Sequence, residues 1–162
     1  MHKAGPWFAV CAVVLIFDRL TKLWMLEAFR PGEALTVTGF FNLVLVFNKG
    51  AAFSFLAGAP GWQTPLFSAI AVVASGIIVF LIFRNPGNKV FCGGLALILG
   101  GALGNLWDRL QWGHVVDFLD FHAAGWHWPA FNVADSAITI GAGILIAESF
   151  LHRDGENGEK RA

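Results

Sequence analysis

Between Gly104 and Phe121 the chain reads GNLWDRLQWGHVVDFLDF, which sets Asp108, Arg109, Asp117 and Asp120 among tryptophans, valines and phenylalanines. Dehydrating a charge is costly, so ionisable groups in such surroundings are paired, wet or functional. Two aspartates that meet across a cleft and share one proton form a specific device: one takes a proton from water while the other, neutral, donates to a scissile carbonyl. Asp117, flanked by Val115, Val116 and Phe118, and Asp135, near the start of a later apolar run, are candidates for it. That chemistry needs no metal, cofactor or nucleophilic side chain. Ser136 has no basic partner nearby in sequence, which argues against a serine mechanism. His114, Asp117, Asp120, His122 and His127 are competent metal ligands by type, yet no tight motif such as H-E-x-x-H joins them. No metal or cofactor is expected.

Each candidate also has a plain structural use. Asp18 and Lys22, four apart, suit an ordinary interfacial helix pair. Asp108 and Arg109 suit a structural ion pair or snorkelling groups that hold the site's geometry. Asn132 followed by Asp135 resembles an N-cap with an acid at the third helical position, although a capping box prefers Glu or Gln there. Asp117 is divided between turn-capping and function, while Asp120 lies further along and looks less constrained. Residue types alone leave these alternatives open.

The elements that must position these groups follow from composition. Of 162 residues, 56% are hydrophobic and only 14% charged, with a mean hydropathy of +0.63, whereas a soluble domain carries roughly a quarter charged residues. This pattern identifies a membrane protein. Eleven basic and eleven acidic residues balance, and no Lys/Arg cluster offers the basic stripe that a nucleic acid partner requires. Cys11 and Cys92 each lie inside an apolar run and are expected to act as small hydrophobes.

A hydrocarbon core of about 30 Å takes roughly 20 apolar residues as a helix. Four segments qualify: 7–25, with Asp18, Arg19 and Lys22 near its end; 66–83 and 90–107, both uncharged; and 131–147, with only Asp135. The first begins like a signal peptide but continues to Met25 without a small-x-small cleavage site, so a retained span is expected. Lys3, Arg84, Lys89, Arg153, Lys160 and Arg161 all flank one side, against Arg30 and Lys49 in the first outer connection. The positive-inside rule then puts both termini and the Arg84 to Lys89 turn in the cytoplasm. Trp24, Trp62, Trp107, Trp112, Trp126 and Trp128 fall on the outer side, where indoles favour headgroups.

The outer connections should have structure of their own. Phe41, Leu43, Leu45 and Phe47 alternate with Asn42, Val44 and Val46 after a break at Gly39, which predicts short strands in a small outer-surface β-sheet. A re-entrant or interfacial segment carrying Asp117 should precede the last helix. The Gly100-x-x-x-Gly104 spacing permits close helix approach, and packing alone accounts for it. With no internal repeat or linker, residues 1–162 form one α-helical membrane domain with a polar tail from about 152.

All the uncommon polar groups then share one depth near the outer interface. Asn105, Asp108 and Arg109 fall on one helix face, close to Asp18, Lys22, Asp117 and Asp135. A proton-coupled carrier or channel also places aspartates in membranes but wants polar groups at several depths. The second and third spans have no ionisable group through their middles. A non-catalytic assembly factor is distinguished by tolerating loss of either aspartate.

Five stretches in order carry a resemblance: DRLTK at Asp18 to Lys22, NKGAAF at Asn48 to Phe53, GNLWDR at Gly104 to Arg109, VVDF at Val115 to Phe118 and FNVAD at Phe131 to Asp135. Over about residues 7 to 150 the chain resembles the lipoprotein signal peptidases, or signal peptidase II. The resemblance implies an aspartyl endopeptidase of the bacterial inner membrane, facing the periplasm and acting as a monomer among membrane lipid. It removes signal peptides from prolipoproteins whose lipobox cysteine carries diacylglyceryl. It further implies that Asp117 and Asp135 are the catalytic dyad, that Asn105, Asp108, Arg109 and Asn132 brace it, and that Asn48 and Gly50 belong to the outer sheet that cradles substrate. An apolar signal peptide lies in the bilayer, so its cleavage point meets such an enzyme near the outer interface.

Overall fold

A computed structural model describes residues 4–50 and 61–159 of the chain. Lys3, Lys160 and Arg161 of the orientation argument, and Ala51 to Phe53 of the NKGAAF stretch, lie outside the described residues. The elements run α1 (Gly5–Ala28), β1 (Ala34–Thr38), β2 (Phe41–Asn48), α2 (Gln63–Arg84), α3 (Lys89–Trp112), β3 (Val115–Ala123), β4 (Trp126–His127) and α4 (Val133–Glu159). At 1.5 Å per residue, the 24 residues of α3 extend about 36 Å, enough to cross a bilayer core.

Among the described residues, α2, α3 and the 133–151 portion of α4 are long and apolar enough to cross a membrane. Helix α1 is as long as α3, but Asp18, Arg19 and Lys22 interrupt its apolar run. Its remaining faces present Val13, Ile16, Phe17 and Leu20 outward. The other helices likewise expose Ile70, Val73, Phe80, Ile140 and Ile146, the surface of a bundle whose surroundings are apolar. Helix α4 continues to Glu159, so the polar residues from 152, expected as a tail, prolong a helix.

Local signals explain the ends of α3. The Asn88 side chain accepts from the Phe91 N–H, an N-cap, and Gly113 at φ 75° closes the C-terminus with its N–H on the Arg109 carbonyl. Helix α3 is the central helix, packing on α1, α2 and α4. Its glycines make this possible. A Cβ at Gly101 would lie 2.3 Å from the Ala134 carbonyl oxygen of α4, and one at Gly104 would lie 2.6 Å from Asp18 Oδ2 of α1. The packing use expected of these glycines therefore holds, and Gly104 in particular lets the Asp18 carboxylate reach α3. Cys11, Ile78, Ile82, Cys92, Leu95 and Leu99 form the apolar core of the bundle.

At the other end lies an antiparallel sheet in the order β1-β2-β3-β4. Met25, Leu45, Val116 and Phe118 seat it on the end of α1. The strand expected over Phe41 to Phe47 is β2. The segment before α4, expected as re-entrant or interfacial, is strand β3, paired to β2 with Val46 opposite Asp117 and Asn42 opposite Asp120. Val115, Val116, Asp117 and Phe118 are all buried, so both faces of β3 are covered here and the alternation that marks a half-buried strand is absent. Paired hydrogen bonds between Leu119 and Phe131 then lead the chain straight into α4.

Candidate active site

The bundle and the sheet meet where α1 and α3 end and α4 begins, and the expected polar residues gather there. Lys22 is completely buried, with Nζ 2.8 Å from Asp18 Oδ2, 2.8 Å from Asp108 Oδ2 and 3.0 Å from Asn105 Oδ1. A buried ammonium requires such partners, and its three N–H groups match three acceptors. The ordinary interfacial pair expected of Asp18 and Lys22 is thus an internal one, closed off by the distant Asp108. Asp18 also accepts from the Ala134 N–H in the first turn of α4 at 2.8 Å. That anchors the positive end of α4 on α1.

Asp108 and Arg109 do not pair with each other. Asp108 turns inward to Lys22, accepts from the Val116 N–H at 3.2 Å and meets Arg19 at 3.3 Å. Arg109 faces elsewhere: Nη1 donates to the Asn105 carbonyl at 3.3 Å, and the guanidinium lies 5.4 Å from the Phe67 ring. Its Nε makes no hydrogen bond among the described residues. The Arg109 charge acts on Asp135 and Asp117 as well as on Asp108. The expected Asp108–Arg109 ion pair is therefore corrected, because neighbours in a helix point about 100° apart.

Asn132 joins the two candidate aspartates. Its Nδ2 donates to Asp117 Oδ1 at 2.6 Å, while the Asp135 N–H donates to its Oδ1 at 2.9 Å and its own N–H donates to Asp135 Oδ2 at 3.3 Å. The last two bonds form a capping box with Asp where Glu or Gln is usual. The capping use of Asp135 is real, and Asp135 Oδ1 still accepts from Asn105 Nδ2 at 2.7 Å. On β3, Asp117 is 1% exposed and accepts from Asn48 Nδ2 at 2.9 Å in addition to Asn132. Burial pushes its carboxyl up to about 7, and the Asp135 charge adds to the rise, against the donors of Asn48 and Asn132.

Asn48 stands at the end of β2 and so reaches Asp117 on the paired strand. Gly50 donates its N–H to Asn48 Oδ1 at 2.8 Å from a left-handed φ of 106°, and a Cβ there would lie 2.5 Å from the Phe67 ring. Of the pair expected to cradle substrate, Asn48 thus touches Asp117 directly, and Gly50 reaches it only through Asn48.

The histidines separate into two places. His114 packs on Phe47 and Trp112, and burial holds its ring below the usual value. His127 and Asn42 both bond Asp120, at 2.9 and 2.8 Å. Burial alone would raise the Asp120 carboxyl, but these partners bring it below the usual range. Asp120, which looked less constrained than Asp117, is buried and held. Among the described residues no three His, Cys, Asp or Glu side chains converge as a metal cluster. Sequence reading also gave Arg19 no role, although it lies 4.3 Å from the Trp112 ring and bonds Gln111 and Asp108. Its signal was an arginine at the same depth as Trp107 and Trp112.

A groove of about 410 Å³ opens beside Asp135, lined by it with Ser136, Thr139 and Ile140 of α4 and by Trp128 and Phe131. Its walls are apolar except where the carboxylate and two hydroxyls enter. A buried carboxyl raised to about 7, joined through Asn132 to a partly exposed one that lines the groove, can carry out acid-base chemistry on a bound carbonyl and water.

Known proteins match the chain over most of its length. The family profile described as signal peptidase (SPase) II matches residues 10–151. The lipoprotein signal peptidase of Paraburkholderia phytofirmans is 59% identical over 144 residues, covering 89% of this chain and 84% of that protein. That of Ralstonia nicotianae is 57% identical over 147 residues, covering 91% and 85%. A solved structure described as a bacterial membrane enzyme, obtained by the in meso method, superposes with a TM-score of 0.82 at 32% identity, covering 97% of this chain and 95% of that one.

Proposed function

The chain belongs to the signal peptidase II family, and from that premise we propose that Asp117 and Asp135 are its catalytic dyad. It is an aspartic endopeptidase that removes signal peptides from diacylglyceryl-modified bacterial prolipoproteins, cutting on the N-terminal side of the lipidated cysteine. The observation that carries the dyad assignment is Asn132, which hydrogen-bonds both carboxylates at once, Asp117 through Nδ2 and Asp135 through its own backbone N–H.

In this reading Asp117 holds the shared proton, supported by its burial and by the Asp135 charge. Asp135 is the ionised member, since each of its oxygens meets an N–H donor at a helix N-terminus, a place that suits an anion. Asp135 takes a proton from water as the water oxygen attacks the scissile carbonyl, and Asp117 donates to the carbonyl oxygen. Collapse of the tetrahedral intermediate breaks the C–N bond as Asp117 takes back its proton from the former carbonyl oxygen and the proton on Asp135 passes to the leaving nitrogen. Asn105, Asn132 and Asn48 hold the carboxylates in place, and the Asp18–Lys22–Asp108 cluster ties together the helices that bear them. The substrate backbone enters along the groove that Asp135 lines on α4, and Asn48 and Gly50 contact it from the side of Asp117.

Helix α1 serves as a fourth span, its charges turned into the bundle and its apolar residues toward lipid. The dyad, the sheet and the exposed Trp24, Trp107, Trp126 and Trp128 sit at the outer face of the inner membrane, with both termini cytoplasmic. In this reading the chain acts as a monomer. Mass mapping of a lipidated precursor incubated with the purified chain tests the function: cleavage immediately before the modified cysteine is expected, and cleavage elsewhere, or of the unlipidated precursor equally well, contradicts it.

A further inference from the structure

Asn105 presents its Nδ2 to Asp135 Oδ1 at 2.7 Å, and nothing in an asparagine's own shape dictates that orientation. Its amide has a donor end and an acceptor end of nearly equal size, so neighbours decide which way it faces. The neighbour at the other end is Lys22, whose Nζ lies 3.0 Å from Asn105 Oδ1. An ammonium has only donors. We propose that Lys22 is a positioning residue for peptide hydrolysis, fixing through the Asn105 amide the hydrogen bond that Asp135 receives. This role rests on the dyad reading above.

The surroundings make the arrangement one-sided. Turning the amide over would bring its NH2 against the ammonium and its oxygen against a carboxylate, so two hydrogen bonds to charged groups would be lost in a buried place. Lys22 cannot swing away, because Asp18 and Asp108 hold its other two N–H groups at 2.8 Å each, and none of the side chain reaches solvent. The only other donor to Asn105 Oδ1 among the described residues is Asn132 Nδ2, at 3.3 Å. That NH2 is already engaged by Asp117 Oδ1 at 2.6 Å and by the Val116 carbonyl at 3.2 Å. Without Lys22 the orientation of Asn105 is therefore weakly held. The connection also crosses three elements, from Lys22 on α1 through Asn105 on α3 to Asp135 on α4. Lys22 thereby joins the helix packing to the placement of the base.

A kinetic cycle on the full chain, reconstituted in lipid with a diacylglyceryl-modified precursor, tests this. Lys22→Met should lower kcat on the order of 10²-fold, the scale set by a misplaced reacting group, with KM little changed. Asn105→Leu should do the same, and the double variant should be no slower than Asn105→Leu alone, because Lys22 has nothing left to orient. A residue that supports only the fold would instead multiply its full factor into the Asn105→Leu background, and that result overturns the role. Lys22→Met leaves Asp18 and Asp108 facing each other. The cycle is therefore repeated on Asp108→Asn, where lysine and carboxylate charges are removed in equal number, and the same non-additivity is required. Asp117→Asn and Asp135→Asn run alongside separate the two failures. Turnover by Asp135→Asn overturns the dyad and this role together, whereas inactive dyad variants with multiplicative Lys22 and Asn105 effects overturn the Lys22 role alone.

Discussion

Asn132 donates its side-chain amide to Asp117 at 2.6 Å while closing the first turn of α4, so a residue that caps a helix also sets the position of a carboxylate on a strand. Fold and chemistry are coupled at that point. Asn132→Ala should cost stability by about 1 kcal/mol for the lost cap, more for the stranded buried partners, and should lower kcat on the order of 10²-fold. Thermal unfolding and turnover measured on the same preparation check both. A variant that loses the stability but keeps full turnover removes Asn132 from the site.

The raised carboxyl of Asp117 predicts a pH-dependent stability. Its carboxyl is raised from about 3.8 unfolded to about 7 folded, so between those values the folded state binds more protons than the unfolded one. The favourable contribution is complete below the unfolded value and fades as pH rises through about 7, where the buried group must ionise. A rise of that size corresponds to up to about 4 kcal/mol. Asp117→Asn should therefore be more stable than the parent above neutral pH, with the advantage shrinking toward pH 4. Parallel stability curves for parent and variant across this window would show that Asp117 does not hold its proton.

Asp108 and Arg109 should separate in their effects. Asp108 is fully buried against Lys22 and Arg19, and breaking a buried pair costs about 3 to 5 kcal/mol, so Asp108→Ala should unfold early. Among the described residues Arg109 makes one long hydrogen bond, to a carbonyl, and lies over Phe67, while its charge acts on the dyad. Arg109→Ala should lose more activity than stability. Unfolding in one detergent at one pH, beside turnover, decides it, and equal destabilisation by the two variants contradicts the assignment.

The helices were legible because uncharged apolar runs of this length have few other uses. Strand β2 was legible from its alternation. Strand β3 was not, because β2 pairs along one edge and Val115 to Phe118 are buried on both faces, so the period that marks a strand is lost. The site was legible as a set of residues at one depth, but its pairings were not. An Asp18–Lys22 pair four apart looks the same on a surface as in a core, and what buries it is Asp108, together with Asn105, which lies 83 residues beyond Lys22. The partners of Asp120 were hidden for the same reason, since Asn42 reaches it only through strand pairing.

Orientation is open to chemical labelling. In a background with the buried Cys11 and Cys92 replaced, a cysteine at Gly39, in the turn before β2, should react with a reagent confined to the outer side, and one at Gly87, before α3, should not. The reverse pattern would place the dyad on the cytoplasmic side and contradict the location given to the site.

The central claim is that Asp117 and Asp135 together perform the hydrolysis, and single-turnover cleavage of a lipidated precursor by purified Asp117→Asn and Asp135→Asn tests it most directly. An amide cannot complete the acid-base exchange. Each variant is expected to be folded in the membrane, to bind precursor and to release no signal peptide above the uncatalysed background. Substantial cleavage by either variant would contradict the dyad and remove that residue from it.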